Sequence, residues 1–192
     1  KELIKEGALG KLLQFDGCFA FAMPHKEQNA MKKELGGGCL NYCSVYPIAA
    51  SRMVFGEEPV NIFSRLKIDP ESGVDVEARV FLEFPGGEIA FVSSYFDSYY
   101  QSTYSVLGTK ARVRMERAYA VPRDMETKMF LDADDKTKEI IFQPADHFRL
   151  MIDEFCEEIV KGEASEKDYE GDLLCQARVL EAARRSDEEG RV

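Results

Sequence analysis

The chain has 192 residues, enough for one domain with its own core. A hydrophobic content of 45% and an aromatic content of 11% exclude a disordered tail. The formal net charge of −10 lacks the basic footprint of a nucleic-acid or anionic-lipid binder, and no apolar run is long enough to span a membrane. The opening KELIKEGALG has no signal-peptide pattern. The five cysteines (Cys18, Cys39, Cys43, Cys156 and Cys175) are scattered without a CxxC pair and read as reduced, mostly buried thiols of a cytoplasmic protein. With His25 and His147 as the only histidines, no metal site is expected. Because Lys1 stands inside a helical pattern with no initiator methionine, the sequence reads as a piece of a longer protein.

Residues 2–8 read as the end of a helix closed by Gly7 and Gly10. Leu12 to Ala22 alternates loosely and predicts a strand. A polar loop from Pro24 to Lys33 delivers the chain to Gly36-Gly37-Gly38, and a helix is expected from Cys39 to Phe55. Val60–Ile68 predicts a strand, followed by a turn at residues 69–73. Val74, Val76, Ala78, Val80, Leu82 and Phe84 then recur at period two, the mark of a half-buried strand. Pro85-Gly86-Gly87 turns that strand into Glu88–Asp97, so the two form an antiparallel hairpin. Strands at Gln101–Leu107 and Ala111–Arg117, then a short hairpin of Met129–Leu131 with Glu139–Phe142, complete the sheet. Phe148, Ile152, Phe155 and Ile159 give one apolar face of a helix that Gly162 stops. A last helix from Tyr169 to Ser186 carries Leu173, Ala177, Leu180 and Ala183 on one face, and the acidic run Glu163–Asp172 before it reads as a solvated loop and helix face. The expected fold class is α+β: an open, mostly antiparallel sheet of six or more strands with helices packed on one face, one domain over residues 1–192.

The triple glycine admits two readings. It is either the flexible entry of a buried helix or a place where backbone comes close to a ligand at a helix N-terminus. Tyr42 and Tyr46 are four apart on that helix and are neighbours on its surface. His25, Asn29 and Lys33, in the loop before the glycines, are candidate ligand contacts, although a solvated loop gives the same composition. His147 follows Asp146 at a helix start, where capping or packing is its ordinary use. The tyrosine-rich run of residues 93–105 puts aromatic rings on alternating faces of two strands. One face belongs to the core and the other suits a second copy of the sheet or a stacked sugar. GxGxxG, Walker A, HExxH and an ordered Ser-His-Asp set are all absent, so the sequence shows no dinucleotide site of its own.

The order ELGGG, YPI, R, FGEEP, then ESGVD with its strand, FPGG, and YSVLGTKARV resembles the C-terminal domain of the glucose–fructose oxidoreductase / inositol dehydrogenase / rhizopine-catabolism (Gfo/Idh/MocA) family. The closing DHF, EAARRS and GRV extend the resemblance over essentially the whole chain. It implies an NAD(P)-dependent oxidoreductase acting on a sugar, nucleotide-sugar, polyol or related hydroxyl or ketone compound. A Rossmann domain upstream of Lys1 would hold the cofactor, NAD or NADP, and an active-site lysine. The open sheet would bind substrate and pair with a second copy, giving a homo-oligomer.

By the same resemblance Tyr46 is the acid–base group near the reacting carbon and Gly36, Gly37 and Gly38 are the family's glycines. Arg52 matches an arginine for which a structural ion pair is the expected role. Tyr42 stands where the family usually has an aspartate, and Ser44 where it has a glycine. Asn29 or Met31 stands where an arginine is common. A phenol has a pKa near about 10, so without a carboxylate beside it Tyr46 needs a lysine or a cofactor ribose to act as a base at neutral pH. The departures leave a second expectation open, a sugar-binding or assembly module without dehydrogenase chemistry. A thiol hydrolase built on Cys39 or Cys43 is a third.

Overall fold

Wherever apolar residues recur at period two, the backbone pairs as strand. The computed structural model describes residues 1–162 and 168–190. Eight strands form one sheet: β1 (Leu12–Phe21), β2 (Asn61–Ile68), β3 (Asp75–Glu83), β4 (Ile89–Phe96), β5 (Gln101–Gly108), β6 (Arg112–Glu116), β7 (Thr127–Ala133) and β8 (Lys136–Phe142). Their order is β2-β3-β4-β1-β5-β6-β7-β8. Every neighbouring pair is antiparallel except β1 with β4. The two hairpins read from the sequence, β3–β4 and β7–β8, are present, and the two strands joined by Gly108–Lys110 form a third, β5–β6. The placement of β1 between β4 and β5 is tertiary, because pairing partners far apart in sequence leave no mark in a local pattern.

One face of the sheet is the core. Phe15 and Phe19 of β1, Val76, Ala78, Val80 and Leu82 of β3, Ala90 and Val92 of β4, and Val106 of β5 are buried on it. Helix α2 (Val45–Phe55) lies across β1 and β4, and α4 (Tyr169–Glu189) covers β2. At Gly17 α2 comes close to the sheet: a Cβ there would stand 2.6 Å from Pro47 Cβ. Each large side chain fully removed from water here, such as Phe15, Ile48, Leu82 or Phe84, stabilises the fold by about 1.5–3 kcal/mol. A short helix α1 (Glu2–Lys5) precedes β1.

The other face of the sheet is open, and its character differs from the expected aromatic surface. Tyr100 and Tyr104 turn to the helix side, where Tyr104 stacks on Phe15 at 5.5 Å and Tyr100 packs near Phe19. Tyr99 stands in the connection between β4 and β5, 85% exposed. The open face carries Phe81 against Phe91 at 5.4 Å, with Tyr95, Glu77, Arg79, Asp16, Arg112 and Arg114 around them. The tyrosine run is interrupted because β1 separates β4 from β5.

The last two helices also depart from the expected packing. In α4 the buried residues are Val179, Ala183 and Ser186, whereas Leu173 and Ala177 are exposed. Polar anchors set that rotation. Ser64 of β2 donates its hydroxyl to the Ala183 carbonyl, and the backbone N–H groups of Ser64 and Leu66 donate to Ser186 Oγ at 3.1 Å and Asp187 Oδ1 at 2.9 Å. The edge strand thus finds acceptors in α4 rather than in another chain. In α3 (His147–Lys161) no residue is buried, and Phe148, Ile152, Phe155 and Ile159 are all more than half exposed. The periodicity found the helix, but its apolar face does not pack on the sheet. The acidic run Glu163–Asp172 lies partly outside the described residues.

Candidate functional site

The helix that follows the glycines begins with a wide π-helical turn, Leu40–Ser44, and becomes α-helical at Val45. The change of register falls just before Pro47, which has no N–H to donate. At the helix N-terminus the chain supplies its own anion. Asp75, at the start of β3, accepts the Leu40 N–H at 2.6 Å, and the Cys39 N–H also bonds to it. Gly38 has φ +115°, and a Cβ there would collide with Asp75 Oδ1. At Gly37 a Cβ would sit 2.6–2.9 Å from the carbonyl oxygens of Ala30, Lys32 and Asn29. Of the two readings of the glycines, the geometry therefore supplies the structural one: they let a carboxylate and three carbonyls crowd a helix start. Burial pushes the Asp75 carboxyl up, against the opposing pull of the Leu40 and Cys39 N–H groups and Arg184. Arg184 of α4 in turn bonds Asn41 Oδ1, and Asn41 Nδ2 donates to the Gly36 carbonyl at 2.7 Å.

Tyr46 sits one and a half turns further on and is 44% exposed. Its ring meets Phe19 edge-on at 5.2 Å and Tyr119 at 6.0 Å. It stands between two clefts. One, of about 700 Å³, runs along α2 and is lined by Ala49, Ala50, Met53, Tyr104, Met115 and Tyr119 among others. The second, of about 510 Å³, is closed by residues 120–123 and by Asp146, His147 and Phe148. Small alanines on α2 and Ala118 leave room in the first cleft, and the aromatic rings give it a largely apolar wall. The hydroxyl of Tyr119 is buried with no hydrogen-bond partner among the described residues, and burial pushes its phenol well up. Ala120, beside it, holds a left-handed backbone with φ +49°.

The candidate residues are not all brought together. Tyr42 is exposed and lines neither cleft. His25, Asn29 and Lys33 are exposed, and their loop leans toward the β2–β3 turn, where Lys26 pairs with Glu71 at 2.7 Å and Gly73 faces Lys33. None of these three lines a cleft beside Tyr46. Arg52 is 6% exposed and forks onto Glu58 with two 2.7 Å bonds, reaching Asp172 at 2.9 Å and Gln176 at 2.8 Å as well. It ties α2 to α4, as the ion-pair expectation held. Sequence reasoning missed Phe19, Tyr104 and Tyr119 as the aromatic wall behind Tyr46, since in one dimension the first two are ordinary strand aromatics and Tyr119 stands in the connection after β6. His147 gave a faint signal, read there as a cap. In the structure Asp146 is the cap, accepting the Arg149 N–H at 3.1 Å, which leaves His147 to line the cleft.

The structure is thus a sheet covered by helices on one side and open on the other, with an exposed tyrosine over an aromatic cleft. Residues 1–114 match the GFO/IDH/MocA C-terminal domain, and the chain belongs to that family. It is similar to the dTDP-3,4-didehydro-2,6-dideoxy-alpha-D-glucose 3-reductase of Saccharopolyspora spinosa, with 26% identity over 188 residues, 95% of this chain and 56% of that protein. It is 31% identical over 163 residues to the D-xylose 1-dehydrogenase [NADP(+)] of Haloarcula marismortui, covering 81% of this chain and 45% of the relative. The aldose-aldose oxidoreductase of Caulobacter crescentus, solved with glycerol, superposes with a TM-score of 0.88 at 26% identity, over 99% of this chain and 57% of that one. The chain thus spans about half the length of the relatives it matches.

Proposed function

We propose that residues 1–192 form the substrate-binding and oligomerisation domain of a two-domain, cytoplasmic, NAD(P)-dependent oxidoreductase acting on a sugar, nucleotide-sugar, polyol or related hydroxyl or ketone compound. The observation that carries this reading is Tyr46, an exposed phenol at the junction of two clefts in a member of this family. The relatives' names support the substrate class and NADP. When bound, the nicotinamide supplies hydride transfer. The chain's own residues fit that partner at the reacting end only. Tyr46 and the cleft can meet a substrate, but the glycine turn is no seat for the dinucleotide's phosphates, because Asp75 already fills that helix start. The phosphates belong to the additional length that the relatives carry.

In this reading Tyr46 gives a proton to, or takes one from, the hydroxyl oxygen at the reacting carbon. The rings of Phe19, Tyr104 and Tyr119 fix the phenol's direction and exclude water from one side. Tyr46 is the one catalytic residue carried forward. His25, Asn29 and Lys33 stand away from its clefts, and Gly36–Gly38 act through the helix they start. The open face of the sheet is the homo-oligomer contact, and no nucleic acid or membrane partner is proposed. Among the described residues no helix is long and apolar enough to cross a membrane.

A second reading, a sugar-binding or assembly module without turnover, is favoured by Tyr42, which stands in the aspartate's place and lines neither cleft. The deciding experiment titrates NADH and NADPH into the longer protein of the same gene, with the 192-residue chain as control, followed by a sugar and nucleotide-sugar screen. The longer protein should bind and turn over, and the short chain should be inert. Tyr46→Phe should lower kcat by about 10²–10⁴-fold, the usual worth of a positioned acid or base, with little change in substrate affinity. Nicotinamide binding by neither protein would leave the module reading standing, and full activity in Tyr46→Phe would remove Tyr46 from the mechanism.

A further inference from the structure

The two clefts beside Tyr46 differ in charge. The larger is lined by Glu57, Glu58, Asp168 and Asp172, and of its two cations, Lys1 and Arg52, the second is spent on Glu58 and Asp172. The smaller sets Arg123 and His147 against one carboxylate, Asp146, whose Oδ1 already accepts the Arg149 N–H at 3.1 Å. Arg123 makes no ion pair or side-chain hydrogen bond among the described residues, in a chain where 35 acidic residues outnumber 25 basic ones. An arginine left unpaired amid that excess, in the wall of a cleft, is free to take an anion from outside. The backbone that presents it is fixed. The Tyr119 N–H donates to Ser102 Oγ at 2.8 Å, and that hydroxyl donates back to the Tyr119 carbonyl at 2.9 Å. Ala120 then holds φ +49°, and the Met125 N–H closes a turn onto the Pro122 carbonyl at 3.1 Å, with Arg123 at its first corner.

We propose that the substrate is a sugar bearing an anionic oxyacid group, a phosphoryl or a carboxylate, and that the Arg123 guanidinium and the His147 ring hold this group in the smaller cleft. The reacting carbon then lies at Tyr46, with the sugar ring against Tyr104, Met115 and Ala118 on the other side. The carboxylates of the larger cleft repel the same group, so the two clefts together set the direction in which the molecule lies. A guanidinium fits either oxyacid through two parallel N–H bonds. Arg123 is a specificity-determining residue in this arrangement and takes no part in proton transfer. The proposal rests on the reading of these clefts as the substrate site and narrows its substrates to anionic ones.

Calorimetric titration of the longer protein of the same gene tests it, with glucose as the neutral probe and glucose 1-phosphate, dTDP-glucose and glucuronate as the anionic ones. At least one anionic probe should bind about tenfold or more tightly than glucose. Arg123→Gln should abolish that preference with glucose binding unchanged, and Arg123→Glu should reverse it. Arg178→Gln removes an arginine equally without a partner among the described residues, from the groove between α4 and β2, and should keep the preference. Arg123 is exposed, so its variants should hold the thermal midpoint within about 2 °C. Tighter binding of the two phosphates identifies a phosphoryl group, and tighter binding of glucuronate a carboxylate. Absent or equal binding of the probes overturns the proposal, as does a preference that survives Arg123→Gln or is lost equally in Arg178→Gln. An anion preference that depends on Arg123 but comes without nicotinamide turnover would sink only the oxidoreductase reading. Turnover of neutral sugars without that preference would sink only the anion site.

Discussion

Asp75 and Gly38 show how a residue pair can look like a ligand site and be a structural joint. A carboxylate at a helix N-terminus satisfies free N–H groups and the positive end of the helix dipole, which is what a bound anion would do. Gly38→Ala forces a Cβ into that carboxylate at a φ of +115°. It should cost about 2–4 kcal/mol, from about 1–3 of backbone strain and about 1 for the weakened cap. Gly36→Ala has φ +71° and meets only open space beyond Asn41 at 3.7 Å, so it should cost only about 1 kcal/mol. Urea unfolding of the two variants measures the difference, and equal losses would show that strain alone, not the collision, matters. The same carboxyl predicts a pH effect. Its folded pKa is raised above 3.8 by burial, so the folded state holds the proton more tightly than the unfolded one. Its contribution to stability is then full below the unfolded pKa and is lost as pH rises through the folded value. The unfolding free energy of the wild type relative to Asp75→Asn should therefore grow as pH falls from neutral toward 4. A flat difference would mean that the N–H groups of Leu40 and Cys39 cancel the effect of burial, and a difference that shrinks toward pH 4 would mean that they outweigh it.

At the scale of elements, Arg52 decides how α4 lies on the sheet. Its guanidinium is buried, while the side chains of Glu58 and Asp172 remain 48% and 73% exposed and can be hydrated if it is lost. Arg52→Ala should therefore cost about 2–3 kcal/mol, less than the 3–5 of a pair buried on both sides. Arg52→Lys should recover only part of that, because an ammonium cannot make the two parallel bonds to Glu58. Thermal unfolding of both variants checks the order, and a lysine variant as stable as the wild type would show that charge alone suffices. Elements were the level at which the sequence was most readable. Strict alternation in β3 and the turn at Pro85–Gly87 gave the central hairpin directly, since side-chain period and backbone pleat are the same geometry. The stripe on α4 was misplaced by the apolar count at Leu173 and Ala177, because Ser64, Gln176 and Ser186 anchor the helix through polar bonds that hydropathy does not register. The π-helical turn was likewise silent in the sequence, apart from the proline just after it.

For the whole molecule the open question is what meets the uncovered sheet. Its Phe81–Phe91 pair, with Phe91 46% exposed, sits among charged neighbours of both signs, a composition suited to a self-complementary contact. Sedimentation equilibrium should find a dimer at micromolar concentration. Phe91→Arg should weaken it at least about thirtyfold, the effect of a central anchor residue, without lowering the thermal midpoint. A monomeric wild type at high concentration would dismiss the open face as the contact. By itself the sequence determined the fold class, the hairpins and both long C-terminal helices, because local periodicity carries that information, while Tyr46 was singled out by the family resemblance. Only the tertiary structure decided that β1 enters the middle of the sheet, that Asp75 occupies the place above the glycines, and that Tyr42 and the loop of His25, Asn29 and Lys33 line neither cleft beside Tyr46. Each of these depends on residues tens of positions apart meeting in space, and no local pattern records which distant partner a strand, a helix end or a loop will find.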